Sequence, residues 1–341
     1  MHHPYSDNAE RLGVVLFQLG GPDSLEAIEP FLFNLFSDPD IIDFPFARLA
    51  REPLARLISS KRAKKVQKHY AEIGGKSPIR ELTERQARAL EQELCKTLEA
   101  RVVVAMRYWH PLTEEAVRLV QEERLRPLVL LPLYPQYSLV TTGSSLNEWR
   151  RRLPPDLAKD QKVIREFYDH PLYLDAVVEK IQEGLEKLRR ANGSALHTPE
   201  DVHLLFSAHS VPVSVIQGGD PYQTQIEGTV KLVMERGRWK NPHSLCYQSR
   251  SGPGRWVRPF MAEALEEVAA RGAERVLVIP ISFVSDHVET LHEIAIEGRE
   301  LAERLGFHRF ESTSGLNESP KFIAALVDLV LKQVGVAAAA R

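Results

Sequence analysis

The sequence predicts an α/β protein of two similar Rossmann-like domains, each a parallel β-sheet flanked by helices, facing one another across an interdomain cleft. Three observations carry this. Short β-branched or leucine-rich runs at residues 14–17, 102–105, 128–133, 204–206, 245–247 and 276–281 alternate with stretches of helical periodicity, as strands buried on both faces and joined by crossover helices do. The chain also repeats itself: Leu128-Val-Leu-Leu-Pro132-Leu-Tyr134 superposes on Val276-Leu-Val-Ile-Pro280-Ile-Ser282, and the same offset aligns His110-Pro111 with Arg258-Pro259 and Thr141 with Glu289. Finally, each half opens on a buried run that ends in a small-residue loop, Phe17-Gln-Leu-Gly-Gly-Pro22 resembling Phe206-Ser-Ala-His-Ser-Val-Pro212.

Taken in order, the first domain is expected over residues 10–170 and the second over 171–335. Helices are expected at 82–100, 113–123, 171–191, 221–236, 259–271, 287–305 and 320–335, several opening at Pro or behind Thr as helix starts do. Residues 31–58 read as two apolar helices on the core, followed by the basic run Lys61-Arg62-Ala-Lys64-Lys65. Ligands of open parallel sheets bind beyond the carboxyl ends of the strands. The loops 18–22, 107–111, 134–143, 207–212, 248–256 and 283–289 should therefore converge on one cleft.

Composition narrows the function. The 341 residues, 43% hydrophobic and 26% charged, suit an ordinary globular protein, and the formal charge of -2 supplies no global field to recruit nucleic acid. Cys95 and Cys246, the only cysteines, build neither a disulfide framework nor a four-thiolate cluster. Residues 1–10 lack the apolar core of a signal peptide, and the uncharged run 127–147 is broken by prolines, so a cytoplasmic location is expected. Gly74-Gly75-Lys76-Ser77 resembles a phosphate loop, but Tyr70 stands where its first glycine belongs and Pro78 blocks an immediate helix. No G-x-G-x-x-G follows a predicted strand, and neither H-E-x-x-H nor G-x-S-x-G occurs.

The chemistry concentrates in the second half. His209 ends a predicted strand, where partial burial should keep the imidazole neutral and able to bind a metal or take a proton. Alone it would read as a histidine satisfied within a turn. Glu289, Glu293 and Glu297 recur every four residues, which on an α-helix draws one carboxylate line, Glu293 and Glu297 lying about 6 and 12 Å beyond Glu289. The plain reading of the outer two is a solvated helix face. Glu289 differs because a buried strand leads straight into it. An imidazole facing a carboxylate suits a divalent cation of intermediate hardness such as Fe²⁺. Tyr108, Trp109, Tyr134, Tyr137, Tyr247 and Trp256 fall on the same predicted rim, and so many ring faces suit a large planar ligand.

These segments also carry a family resemblance. Gly20-Gly21-Pro22, Ile73-Gly-Gly-Lys-Ser-Pro-Ile79, Arg107-Tyr-Trp-His-Pro-Leu-Thr-Glu-Glu-Ala116, Tyr134-Pro-Gln-Tyr-Ser138, Thr141-Thr-Gly-Ser-Ser-Leu-Asn147, Phe206-Ser-Ala-His-Ser210, Tyr247-Gln-Ser-Arg-Ser-Gly-Pro253 and Val284-Ser-Asp-His-Val-Glu-Thr-Leu291 resemble ferrochelatase in that order, across residues 14–331. The resemblance implies a chelatase-like fold and insertion of Fe²⁺ into protoporphyrin or coproporphyrin. It makes His209 and Glu289 the metal-binding and proton-handling pair, with Glu293 and Glu297 extending the acidic line. It assigns Leu19, Arg62, Tyr70, Ser77, Arg107 and Trp256 to the porphyrin pocket, and makes residues 31–65 a lip suited to transient contact with an anionic membrane surface. Lys61 stands where some relatives carry a second arginine, and Ala295 where an acidic residue is common. Leu139 occupies the place of an isolated cysteine in cluster-bearing relatives, so no [2Fe-2S] cluster and no tightly bound cofactor is expected. The alternatives are a chelatase that loads cobalt or nickel into another tetrapyrrole, or a carrier without turnover.

Overall fold

The computed structural model describes residues 11–41, 47–155, 157–190, 201–250 and 254–336. The first half runs β1 (Arg11–Gln18), α1 (Ile28–Phe36), α2 (Ala47–Glu72), α3 (Ile79–Leu94), β2 (Ala100–Met106), α4 (Thr113–Glu122), β3 (Leu125–Pro132), a π-helical turn (Leu139–Gly143) continuing as α5 (Ser144–Arg152), and β4 (Gln161–Val163). After α6 (Pro171–Arg190) come β5 (His203–His209), α7 (Val213–Gln217), α8 (Tyr222–Gly237), β6 (His243–Gln248), α9 (Met261–Ala270) and β7 (Arg275–Pro280). A π-helix (Glu289–Gly298) then continues as α10 (Arg299–Arg304), followed by β8 (Arg309–Ser312) and α11 (Pro320–Val334).

The strands form two four-stranded sheets of the same order, β2-β1-β3-β4 and β6-β5-β7-β8, with every pairing parallel. Their hydrogen bonding repeats as well: Met106 N–H donates to the Pro111 carbonyl and Tyr247 N–H to that of Pro259. The internal repeat is thus architectural, and the strand pairing sets its register. Phe17 pairs with Pro132 and Ser207 with Pro280, so Ser207 is the counterpart of Phe17, and His209 that of Leu19. A strand buried on both faces shows no alternation by which its register can be read.

One apolar core joins the inner faces of both sheets, taking in Val14 and Leu16 of β1, Leu204 and Phe206 of β5, and Phe322 and Leu326 of α11. Helix α11 packs on α3 and β3 as well as α6, so a division at residue 170 separates strands but not the core. The outer faces have their own clusters, Val15 and Val103 with Trp149 in the first half, Leu205 and Val278 with Leu265 in the second. The halves therefore cannot drift apart at their base, and the space between them lies at the strands' carboxyl ends.

Two strands escaped the sequence reading: β4 and β8 are short edge strands, Gln-Lys-Val and Arg-Phe-Glu-Ser, without an apolar run. Helix α3 ends at Leu94, not at residue 100, because Ala100 already belongs to β2. The expected α-helix over 287–305 is π-helical from Glu289 to Gly298. A four-residue recurrence lies nearly in line in either helix and does not separate them. Of the lip, Ile42, Phe44, Pro45 and Phe46 lie outside the described residues.

Candidate active site

A cavity of about 1560 Å³ opens at the carboxyl ends of both sheets. It exceeds the roughly 300–1,000 Å³ of most small-molecule pockets and suits a large ligand. Five of the six expected loops line it: the first half contributes Gln18, Leu19, Tyr134 and Thr141, the second His209, Ser249, Trp256 and Glu289, while Phe31, Leu35, Phe36, Leu54, Ile58 and Val66 from α1 and α2 cover it. Arg62, Tyr70 and Ser77 also line it.

Arg107 is the exception and is not among the lining residues. Its guanidinium turns inward, 2.7 Å from Asp38 Oδ1, and its Nε donates to Ser144 Oγ at 2.8 Å. Tyr108 and Ser144 hydroxyls donate to the other Asp38 oxygen at 2.5 and 2.6 Å, and the Asp38 side chain is 0% exposed. A buried carboxylate needs such compensation, and it takes the arginine away from any ligand. The 107–111 loop packs behind the wall, which removes Tyr108 and Trp109 from the expected aromatic rim; Tyr137 does not line the cavity either, whereas Tyr134, Tyr247 and Trp256 do.

The second half presents its charged groups to the cavity. His209, at the tip of β5, has its backbone N–H on Ser282 Oγ at 3.0 Å and its carbonyl held by the Tyr222 hydroxyl at 2.9 Å. Its Nδ1 lies 2.9 Å from Glu289 Oε2. An ionised carboxylate only accepts, so Nδ1–H donates. Nε2 has no protein partner among the described residues, on a side chain 34% exposed. Burial works against the imidazolium, yet the adjacent Glu289 outweighs it and raises the His209 pKa, correcting the expected lowering by burial. Burial likewise opposes the Glu289 charge, and His209 more than offsets it, holding that carboxyl below the usual range.

Three contributors went unassigned in the sequence. His287 gives Nδ1–H to the Ser285 carbonyl at 3.1 Å, which leaves the lone pair of Nε2, buried and unpartnered, 3.9 Å from Glu289 Oε1. Its signal was proximity, two residues before Glu289. Tyr222, whose hydroxyl holds the His209 carbonyl, is the second. Ser249, with φ +64, is the third: its N–H donates to Glu293 Oε1 at 2.8 Å, and its hydroxyl contacts both Glu293 Oε2 and, at 2.9 Å, Glu289 Oε2. Burial, and then the neighbouring Glu289 charge, raise the Glu293 pKa. Glu297 leaves the expected line; its side chain is 50% exposed and lies 3.7 Å from His292 Nδ1.

The ferrochelatase family model matches residues 11–334. The chain belongs to the ferrochelatase family. It is 50% identical over 331 residues to a ferrochelatase of Geobacter metallireducens, covering 95% of this chain and 99% of that one. It is 47% identical over 330 residues to a ferrochelatase of Rippkaea orientalis, covering 95% and 83% respectively. Among solved structures it is similar to SirB from Bacillus subtilis with Fe3+, at TM-score 0.53 and 12% identity over 95% of each chain, which supports the chelatase architecture alone. Ferrochelatases are metal-insertion enzymes that place iron in a porphyrin during haem synthesis, and this chain is an enzyme of that family.

Proposed function

We propose that His209 and Glu289 are the centre at which Fe²⁺ enters a protoporphyrin or coproporphyrin held in this cavity, with Glu293 completing the polar line. The supporting observation is the 2.9 Å contact between His209 Nδ1 and Glu289 at the cavity wall, with Nε2 left free. Insertion removes two pyrrole protons as a doubly charged cation arrives. With Glu289 on its Nδ1, His209 accepts a proton at Nε2 more readily than a free imidazole. The contacts His209–Glu289–Ser249–Glu293 offer that proton a path away from the macrocycle. Leu19, Tyr70 and Trp256 would pack on the porphyrin, and Arg62 and Ser77 would meet its carboxylates. Walls that fit a bent ring better than a flat one would present the pyrrole lone pairs to the metal.

The reading includes no resident iron–sulfur cluster: Cys246 is buried, which pushes its thiol up to about 12, and Cys95 is exposed. Stoichiometric inorganic sulfide in an anaerobic preparation would contradict it. No helix among the described residues is long and apolar enough to cross a membrane. Ile41, Leu54 and Leu57 are exposed beside Lys61 and Arg62, which supports transient contact with an anionic bilayer through the lip. The deciding experiment is an anaerobic absorbance assay offering Fe²⁺, Zn²⁺, Co²⁺ or Ni²⁺ with each porphyrin. Turnover with Fe²⁺ is expected; turnover with cobalt or nickel alone favours the other chelatase chemistry, and binding without turnover favours a carrier.

A further inference from the structure

Behind the cavity wall, two loops of the second half lock together and reach the first half. Asn317, in the loop after β8, has φ +47, the left-handed region that asparagine tolerates better than most residues but not without strain. Its backbone and side-chain polar groups are all partnered. The N–H donates to the Val284 carbonyl at 2.8 Å, Oδ1 accepts the Asp286 N–H at 3.0 Å, and Nδ2 donates to Asp286 Oδ2 at 2.8 Å. Its carbonyl accepts from Gln86 Nε2 of α3 at 2.8 Å, and Gln86, 0% exposed, also donates to Ser285 Oγ at 3.0 Å. Gly315 lets the two loops meet backbone to backbone, since a Cβ there would lie 2.9 Å from Asp286 N.

Asp286 carries this fixation toward the chemistry. Its Oδ1 accepts the Gly315 N–H at 2.9 Å and lies 3.1 Å from Thr290 Oγ1, which itself accepts the His287 N–H at 3.1 Å. Thr290 follows Glu289 in the first turn of the π-helix, so these bonds hold the turn that presents Glu289 to His209. Asn317, Asp286 and Gln86 are not among the residues lining the cavity. Asn317 can therefore act on the reaction only by placing other groups, and a misplacement of about 1 Å at a reacting centre is enough to lower a rate about a hundredfold.

We propose that Asn317 is a positioning residue for metal insertion: its amide pins Asp286, and Gln86 pins Asn317 to the first half, so that Glu289 keeps a fixed place against His209 and the opposite wall. The role rests on the insertion centre proposed at His209 and Glu289. A residue that merely forms the turn needs only the backbone conformation, which glycine supplies without strain. The positioning role needs the amide itself. One end holds an N–H and the other a carboxyl, a pairing that an ionised aspartate, with two acceptor oxygens, does not reproduce.

The test compares the full-length wild type, Asn317→Gly and Asn317→Asp in the anaerobic absorbance assay, with Fe²⁺ and the porphyrin that the wild type turns over varied separately. Thermal melts and porphyrin affinity by fluorescence quenching accompany it. Both variants should melt as folded proteins and bind porphyrin within about twofold of the wild type, while kcat falls about ten- to hundredfold. Placed in Glu289→Gln, Asn317→Gly should lower kcat by no more than about twofold further, because the two changes act on one group. Normal kcat in Asn317→Gly overturns the role, as does a full further tenfold loss in the double variant, the mark of general loosening. Should Asn317→Gly not fold, Asn317→Asp decides by the same measures; if neither folds, Asn317 is structural and the proposal fails. A wild type without Fe²⁺ turnover would instead defeat the insertion function, and this role with it.

Discussion

Leu19 stands just beyond the carboxyl end of β1, and His209 holds the equivalent point of β5. Thr141 occupies the π-helical turn after β3, and Glu289 the π-helix after β7. All four line the cavity. The repeat has thus placed an apolar and a hydroxyl group on one wall, and an imidazole and a carboxylate on the other. Lys61 and Arg62 of α2 reach the cavity from the first half, but Arg107 and Asp38, with Tyr108 and Ser144, bond one another behind the wall. The difference teaches that one architecture serves two ends: polar groups that satisfy each other stabilise it, and those left short of partners are available to a substrate.

The sharpest way to break this contrast is to exchange the two outcomes. His209→Ala and Glu289→Gln should each lower kcat by about a hundredfold or more, the scale of lost general base catalysis, with porphyrin affinity and melting temperature little changed. Steady-state kinetics with metal and porphyrin varied separately, together with a thermal melt, checks it; near-normal turnover in either variant defeats the assignment. Asp38→Asn should do the reverse. Leaving Arg107 buried without its anion costs about 3–5 kcal/mol of stability, read by urea unfolding, while turnover of the folded fraction persists.

A third test compares the starts of the central strands. Gly13 has no room for a side chain, since a Cβ would lie 2.6 Å from Leu128 Cδ2, but its counterpart His203 is buried against Ser244 Oγ at 2.9 Å. Burial, with Arg271 and His243 nearby, lowers the His203 pKa from 6.5 to about 4. The unfolded chain therefore takes up this proton first: the stability is fully present above pH 6.5 and is lost as pH falls toward 4. The loss is roughly 3 kcal/mol at most. His203→Gln should flatten the unfolding free energy across that window, and an unchanged slope would remove His203 as the cause.

Much of this was legible in the sequence because it rests on local pattern. The six longer strands are apolar runs, the repeat at Pro132 and Pro280 exposed the paired architecture, His209 stood at a strand end, and Glu289 on the helix that a buried strand leads into. What was not legible depends on partners distant in the chain. The inward turn of Arg107 is decided by Asp38, the bridging of two carboxylates by Ser249, and the diversion of Glu297 by His292 on its own helix. A spacing of four residues says that side chains share a face, but nothing about which neighbour claims each one.

That diversion separates Glu293 from Glu297, which an unbroken carboxylate line would treat as successive steps. Glu293 shares Ser249 with Glu289, and its buried carboxyl ends the proposed proton path. Glu293→Gln keeps the size and a hydrogen-bond donor but cannot exchange the proton, so kcat should fall by about tenfold, less than for loss of the base itself. Glu297, half-exposed and turned toward His292, touches neither Glu289 nor Ser249. Glu297→Gln should leave kcat within about twofold and shift only the apparent KM for Fe²⁺, by a few-fold that shrinks as salt rises, because a distant exposed charge acts through a screened field. Equal kcat losses in the two variants would restore the single line, and no change in Glu293→Gln would take the proton path out of the mechanism while leaving His209 and Glu289 in place.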